Sequence, residues 1–190
     1  MIGQIDPQKL VFIDESGTHL SYTRLYARAA TNERAIGSVP RNRGKVQTLI
    51  AALSVEGIKA SMVIEGGTNG NVFITFVKHC LVPKLVPGQV VVLDNLKAHQ
   101  CAEVKKSIKA AGCELIYLPS YSPDFNPIEN FFGWLKEKLR ELEARIAREV
   151  LSYEQEARVL DELLRGIGKL CKKLPLGAVL GWYRNIGYNV

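Results

Sequence analysis

The sequence lacks the features that mark membrane and secreted proteins. No stretch of its 190 residues approaches the ~18 to 20 consecutive apolar residues that a membrane-spanning helix needs. The first ten residues, MIGQIDPQKL, do not show the basic segment followed by an apolar one that is typical of a signal peptide. Internal repeats and low-complexity tracts are missing as well. We therefore expect a cytoplasmic or nucleoid-associated protein with no membrane partner.

Cysteine is scarce and follows no pattern. The four cysteines are Cys80, Cys101, Cys113 and Cys171. They form no Cys-x-x-Cys pair, so free thiols are expected in a reducing compartment. His79, Cys80, His99 and Cys101 are adjacent or two apart, which is poor ligand spacing for a tetrahedral zinc site. The sequence thus argues against disulfide-stabilised and zinc-binding classes of protein.

What remains is a soluble composition with a basic excess. Hydrophobic residues make up 47% and charged residues 23%, and the net charge is +6. Between Arg24 and Lys45 six basic residues stand against one acid, Glu33. Such a segment favours phosphate binding and a solvated loop about equally. Arg41, Arg43 and Lys45 are accordingly candidate DNA contacts.

Short apolar runs alternate with amphipathic segments along the chain. Strands are predicted at 9–16, 46–54, 58–64 and 90–93 and at LIYLP. The second and third strands form a hairpin with its turn at Glu56–Gly57. Helices are predicted at 72–81, at 102–111 and through 127–174. The early hairpin is antiparallel, and the later alternation of strand and helix implies parallel pairs. The sequence therefore predicts an α/β protein with a mixed five-stranded sheet flanked by helices.

Two predicted strands end in an aspartate, Asp14 in LVFID and Asp94 in VVVLD. A single aspartate at a strand end commonly begins a turn. If both strands are central neighbours, however, the acids lie side by side and repel unless a positive charge lies between them. Mg²⁺ or Mn²⁺ suits such oxygen ligands, and a pair of ions needs a third carboxylate.

Glu129 in SPDFNPIEN is the candidate for that third carboxylate. Asn126 as N-cap, Pro127 at the first helical position and Glu129 at the third position also satisfy the capping-box pattern. Asp124, five residues earlier, raises the same question and is otherwise a turn residue. From the residues alone, the cap and the metal ligand both remain open.

DNLKAH followed by YLPSYSPDFNPIENFFGWLK closely resembles the second and third catalytic blocks of DDE transposases of the mariner-like superfamily, nearest the bacterial insertion sequence 630 branch. LVFIDESG is similar to that family's first block and NIGY to its terminal block. The 34 residues between Asp94 and Glu129 match the spacing that the family keeps. The resemblance covers nearly the whole chain from Asp6. The residues GGTNG differ from those usual at the matching position of the family, and the charged stretch after residue 140 has no close match in it.

The resemblance implies a ribonuclease H-like fold, with residues 6–150 as the catalytic domain and 151–190 as a C-terminal helical extension packed on it. It implies Asp14, Asp94 and Glu129 as the catalytic, metal-binding triad for two Mg²⁺ or Mn²⁺ ions, and Asp124 as a structural turn residue. The implied function is cleavage at transposon ends and strand transfer into a TA target by a homodimer. The family's N-terminal helix-turn-helix domain is expected to be absent from this chain. Three explanations stay open: a catalytic-domain fragment, one reading frame of a split gene in which a separate chain supplies that domain, or a truncated copy.

Supporting roles are predicted for Asn95 and His99, which follow Asp94. They either hydrogen-bond a metal ligand or the scissile phosphate, or they cap the next helix. Glu15 is expected to face away from Asp14 because strand side chains alternate. Glu129 is expected to cap the helix without metal and to turn towards the ion when metal binds.

Two alternative functions remain open. One is a truncated, inactive transposase remnant that binds DNA or dimerises as a regulator. The other is a ribonuclease H-like nuclease that acts on other DNA substrates through the same acids.

Overall fold

The computed structural model describes residues 5–19, 28–36, 46–96, 99–119, 123–149 and 156–190. Its strands are β1 (Leu10–His19), β2 (Val46–Ser54), β3 (Gly57–Glu65), β4 (Val90–Leu93) and β5 (Glu114–Tyr117). Its α-helices are α1 (Gly70–Thr75), α2 (Ala102–Ala110), α3 (Ile128–Glu149), α4 (Glu156–Lys172) and α5 (Leu176–Asn185). The segment Phe76–Leu81 continues α1 as a π-helical turn.

The five strands form one sheet in the order β3-β2-β1-β4-β5. The pairs β1–β2 and β2–β3 are antiparallel, whereas β1–β4 and β4–β5 are parallel. The prediction of a mixed five-stranded sheet is therefore confirmed. The predicted hairpin turn is off by one residue, because Ser54 pairs with Gly57 and leaves Val55 and Glu56 as the turn. Gly57 has φ +112°, a backbone conformation that glycine adopts without strain.

Alternating residues of β1 supply two separate hydrophobic cores. Leu10 and Phe12 belong to the core beneath α3, α4 and α5. Val11 and Ile13 belong to the core beneath α1, its π-helical continuation and α2. Because successive strand side chains point to opposite faces, a strand covered on both faces must be apolar at every position. The continuous run LVFI is the sequence signature of that central place.

The first strand extends beyond the predicted residues 9–16, and the prediction that Asp14 lies at its end is wrong. β1 continues to His19, and Asp14 pairs with Ala51 of β2 in the middle of the ladder. β4 does end at Leu93, directly before Asp94. The difference arises because β1 has a long partner, β2, on one side and a short partner, β4, on the other. Asp14 thus lies on a strand, at the level where the neighbouring strand stops.

The C-terminal helices pack against the sheet. Leu163 of α4 and Val179 of α5 lie in the same core as Phe12. Tyr183 of α5 is fully buried, and its ring meets the ring of Phe12 edge to face at 5.7 Å. The predicted apolar stripe of α3 is buried at Phe131, Leu135 and Leu139, which confirms core packing, while the side chains of Ile146 and Val150 lie outside the described residues.

None of the helices in the described ranges combines the length and apolar character needed to cross a bilayer.

Replacing Tyr183 with alanine should lower the free energy of unfolding of the whole domain by about 3 to 5 kcal/mol, the usual cost of deleting a buried aromatic ring. Tyr183→Phe should cost far less, since the Tyr183 hydroxyl donates only a long hydrogen bond, 3.5 Å, to the Leu53 carbonyl. Urea unfolding followed by tryptophan fluorescence measures both variants. A separate early transition in Tyr183→Ala, with the main transition unchanged, would contradict the shared core.

Candidate active site

Asp14 and Asp94 lie at the same level of the sheet, where β4 ends. The parallel register pairs Phe12 with Val92, so the positions two residues further on are Asp14 and Asp94. Asp14 accepts hydrogen bonds on both oxygens: Oδ1 from the Glu15 backbone N–H at 2.8 Å and Oδ2 from the Asn126 side chain at 3.0 Å. The predicted juxtaposition of the two aspartates is what this pairing produces.

Asn126 joins the start of α3 to this part of the sheet. It is only 4% exposed, its Nδ2 donates to Asp14 Oδ2, and its Oδ1 accepts from the Ile128 N–H at 3.4 Å. The sequence predicted a helix-capping role for Asn126 but not the contact with Asp14. The residue's amide therefore caps α3 and holds the aspartate at the same time. Only the fold could reveal the second role, since the two residues are 112 positions apart.

Glu129 lies in the first turn of α3 and is exposed. Its backbone N–H donates to the Asn126 carbonyl at 3.2 Å. The expected reciprocal half of the capping box is not formed among the described residues, since no hydrogen bond there joins the Glu129 carboxylate to the Asn126 N–H. The Glu129 carboxylate instead faces solvent, near enough to Asp14 for its charge to raise the pKa of that residue.

His99 is a buried bridge between two carboxylates. Its ring is 1% exposed, its Nδ1 lies 2.5 Å from Asp94 Oδ1, and its Nε2 lies 2.9 Å from Glu15 Oε1. The ring also packs on Phe73 of α1 with 4.2 Å between centroids. Because ionised carboxylates only accept hydrogen bonds, both ring nitrogens must donate. His99 is therefore an imidazolium that neutralises part of the acidic charge.

Glu15 joins the hydrogen-bond network of the site although it faces away from Asp14. Glu15 does lie on the opposite face of β1 from Asp14, as strand alternation requires. His99, however, comes from the segment after β4 and reaches both the Asp94 carboxylate and Glu15 on the far face. The alternation of side chains along β1 gives the face on which Glu15 lies. It does not show that a residue from another segment, His99, reaches that face.

The remaining candidates fall in different places. Asn95 is exposed, and its Oδ1 accepts from Gln100 Nε2 at 2.6 Å. Its predicted capping role is wrong, because Cys101 is the N-cap residue of α2. Asp124 is exposed in the single turn Pro123–Phe125 that precedes Asn126, which agrees with a turn residue. The candidate DNA contacts Arg41, Arg43 and Lys45 lie outside the described residues.

The acids at this site perturb one another. Burial raises the pKa of Asp14; the Glu15 N–H opposes the shift, and the charges of Glu129, Asp94 and Glu15 add to it, for a final pKa of about 7. Burial also acts to raise the pKa of Asp94, but the hydrogen bond and charge of His99 hold it below its usual value. Burial opposes the charged form of His99, yet its two carboxylate partners raise its pKa to about 9.

The donor set suits a hard divalent cation. Among the described residues no three His, Cys, Asp or Glu side chains form a ready metal-binding cluster. Mg²⁺, however, commonly binds through one or two carboxylates and takes its other ligands from water and phosphate. Asp14 and Asp94 supply such a pair of oxygen ligands. Burial, with the nearby acidic charges adding to it, raises the pKa of Asp14, and a bound cation would favour the ionised carboxylate. The chemistry of these residues fits the metal, with Glu129 as an exposed third donor.

Comparison with known proteins supports the same interpretation of the fold. The sequence profile of a family described as DDE superfamily endonuclease matches residues 9–150. A search of curated proteins finds no significant match.

Three similar solved structures are a Mos1 transposase paired-end complex with the left transposon end, a pre-cleavage Mos1 transpososome and a mariner Mos1 paired-end complex with Mg. Their TM-scores are 0.59, 0.57 and 0.54, at 20%, 17% and 18% identity, and they match 95%, 97% and 97% of this chain. The chain spans 56%, 57% and 57% of the respective Mos1 chains. The shared fold confirms the expected ribonuclease H-like architecture with a helical C-terminal part.

The raised pKa of His99 predicts a pH-dependent stability in metal-free buffer. Because the folded pKa of about 9 exceeds the ordinary value of 6.5, the stabilisation is fully present below pH 6.5 and is lost as pH rises through 9. The total is about 3 kcal/mol at ~1.4 kcal/mol per pKa unit. Chemical denaturation from pH 6 to 9.5 should show the difference between wild type and His99→Gln shrinking by that amount. The exposed His79→Gln serves as control, and a difference that stays flat over this range would refute the imidazolium.

Proposed function

Because the chain belongs to the DDE superfamily endonuclease family, we propose that it is a transposase catalytic domain that cleaves DNA at transposon ends and transfers the freed strands to target DNA. The observation that carries the proposal is the meeting of three acids from distant segments. Asp14 on β1 lies at the level of Asp94, the residue that directly follows β4, and the Glu129 charge adds to the raised pKa of Asp14. Such a cluster weakens stability, so its presence favours a functional role.

We propose that Asp14, Asp94 and Glu129 hold two Mg²⁺ or Mn²⁺ ions. When bound, such ions activate a water molecule for attack on the phosphodiester and stabilise the leaving oxygen. The all-oxygen donor set supports this assignment, as does the similarity to a Mos1 complex with Mg. Asp14 would help to hold both ions, because the charges of Asp94 and Glu129 both act on it.

The protein's own groups hold these carboxylates in place. Strand pairing and the Asn126 amide fix Asp14. Asp94 Oδ1 accepts from His99 and from the Leu96 N–H at 3.2 Å. Glu129 projects from the first helical turn, where the backbone is more rigid than in a loop and the helix dipole favours a negative charge. Asn95 is exposed beside Asp94, and its proposed role is to hydrogen-bond a DNA phosphate.

The proposed partner is DNA, as transposon ends and a TA target, with a homodimer as the working assembly. The similar Mos1 structures include complexes with transposon ends, which supports DNA as the ligand. The net charge of +6 supports phosphate binding, with Arg41, Arg43 and Lys45 as proposed contacts. The motif wording supports the bacterial insertion sequence 630 branch, with residues 6–150 as catalytic domain and 151–190 as helical extension.

Asp94→Ala should lower metal-dependent nicking of DNA that carries the cognate ends by on the order of 100-fold or more, because a metal ligand contributes several kcal/mol to the transition state. Nicking is measured on supercoiled plasmid with Mg²⁺ or Mn²⁺, and again with chelator. Asp124→Ala is the matched control, since Asp124 is an exposed acid of the neighbouring loop, and it should nick as wild type does.

Unchanged nicking by Asp94→Ala would show the assignment to be wrong. Wild-type protein that binds DNA but neither binds Mn²⁺ nor nicks would instead favour the inactive, regulatory remnant.

A further inference from the structure

Glu15 has no role in the proposed chemistry, yet it sits in an environment that stability alone does not explain. Its side chain is 13% exposed, Oε1 pairs with His99, and Oε2 is buried without a hydrogen-bond partner among the described residues. An orphaned buried carboxylate oxygen is costly, and each such group in a folded protein calls for an explanation. A purely structural site would favour an apolar or fully paired side chain here.

Strand pairing does not hold Asp94 in place, so its orientation depends on side-chain contacts. β4 ends at Leu93, so Asp94 lies just beyond the hydrogen-bonded ladder, whereas Asp14 lies within it. The two hydrogen bonds that Asp94 accepts from described residues both end on Oδ1, from His99 and from the Leu96 N–H. Oδ2 is the oxygen that these contacts leave for a metal ion.

His99 can orient Asp94 only if the imidazole ring itself is fixed. Its backbone is held by the Leu96 carbonyl, which accepts from the His99 N–H at 3.0 Å, and by the Tyr117 hydroxyl, which donates to the His99 carbonyl at 3.1 Å. The Phe73 ring covers one face of the imidazole at 4.2 Å. These contacts set the plane of the ring, and the hydrogen bond from Nε2 to Glu15 sets its rotation within the site.

Of the three residues linked in series, Glu15, His99 and Asp94, only Glu15 lies within a paired strand. It lies in β1, paired with Ile50 of β2, in the centre of the sheet. We propose that Glu15 is a positioning residue: acting through His99, it transmits the fixed geometry of β1 to the Asp94 carboxylate and so preorganises the metal site. The inference rests on the proposed function, since it assumes that Asp94 is a metal ligand.

The geometry distinguishes positioning from direct ligation. Glu15 lies on the face of β1 opposite Asp14, beside Val11 and Ile13 in the second core, and its Oε1 is already engaged by His99. Partners that orient a metal ligand commonly change metal affinity by 10- to 100-fold when removed, although they never touch the metal. Glu15 fits that description in a fold where the ligand lies past the end of its strand.

The test is the affinity for Mn²⁺ alone, measured by calorimetry on wild type, Glu15→Met and Glu15→Gln. Methionine preserves the length of the side chain and removes the acceptor, so binding should weaken by about 10-fold or more. Glutamine retains an oxygen that accepts from His99 Nε2, so affinity should stay within about 3-fold of wild type. Circular dichroism at each metal concentration confirms that the folded protein is being compared.

Two results would overturn the inference: wild-type affinity in folded Glu15→Met, or an equal loss in Glu15→Gln, which would make the Glu15 charge itself the ligand. Asp124→Ala controls for general loss of negative charge and should bind as wild type does. Asp94→Ala distinguishes a failure of the proposed function from a failure of the positioning role alone. If Asp94→Ala binds Mn²⁺ normally, the proposed function fails; if it loses binding while Glu15→Met does not, only the positioning role fails.

Discussion

The parallel pairing of β1 with β4 is the constraint on which the rest of this site depends. It places Asp14 and Asp94 at the same level of the sheet, and it puts β1 in the middle of the sheet, where helices cover both of its faces. Helix α3 then covers one face and brings Asn126 to Asp14. The segment after β4 brings His99 to Glu15 on the other face. A one-residue change in the β1–β4 register would move Asp94 away from the level of Asp14 and His99 away from Glu15.

This arrangement concentrates negative charge where burial penalises it. The pKa of Asp14 rises to about 7, so a proton binds there unless something else compensates the charge. His99 compensates part of it and holds the pKa of Asp94 low. The two aspartates follow similar apolar runs but differ electrostatically. Asp94 is paired with the His99 cation, whereas no positive charge among the described residues lowers the pKa of Asp14. A divalent metal ion bound at this site would compensate the negative charge that His99 leaves uncompensated.

Much of the fold could be predicted from local pattern, because LVFI and VVVL are continuous apolar runs that only central strands need, and Asn126–Pro127 marks the start of α3. Asp14 and Asp94 stand out as candidates because each directly follows one of these runs. The extent of β1 beyond Asp14 could not, since it depends on pairing with β2. Nor could the Glu15–His99 contact, which joins positions 84 residues apart, or the solvent-facing carboxylate of Glu129, since tertiary geometry rather than local sequence sets both.

The central claim is that Asp14, Asp94 and Glu129 together form a divalent-metal site. Anomalous scattering from a crystal grown with Mn²⁺ tests it most directly. We expect an anomalous peak in contact with carboxylate oxygens of Asp14 and Asp94, with Glu129 turned towards the metal and His99 still hydrogen-bonded to Asp94. Mn²⁺ peaks only elsewhere on the protein, or a bound ion at this site that Asp94 does not touch, would contradict it.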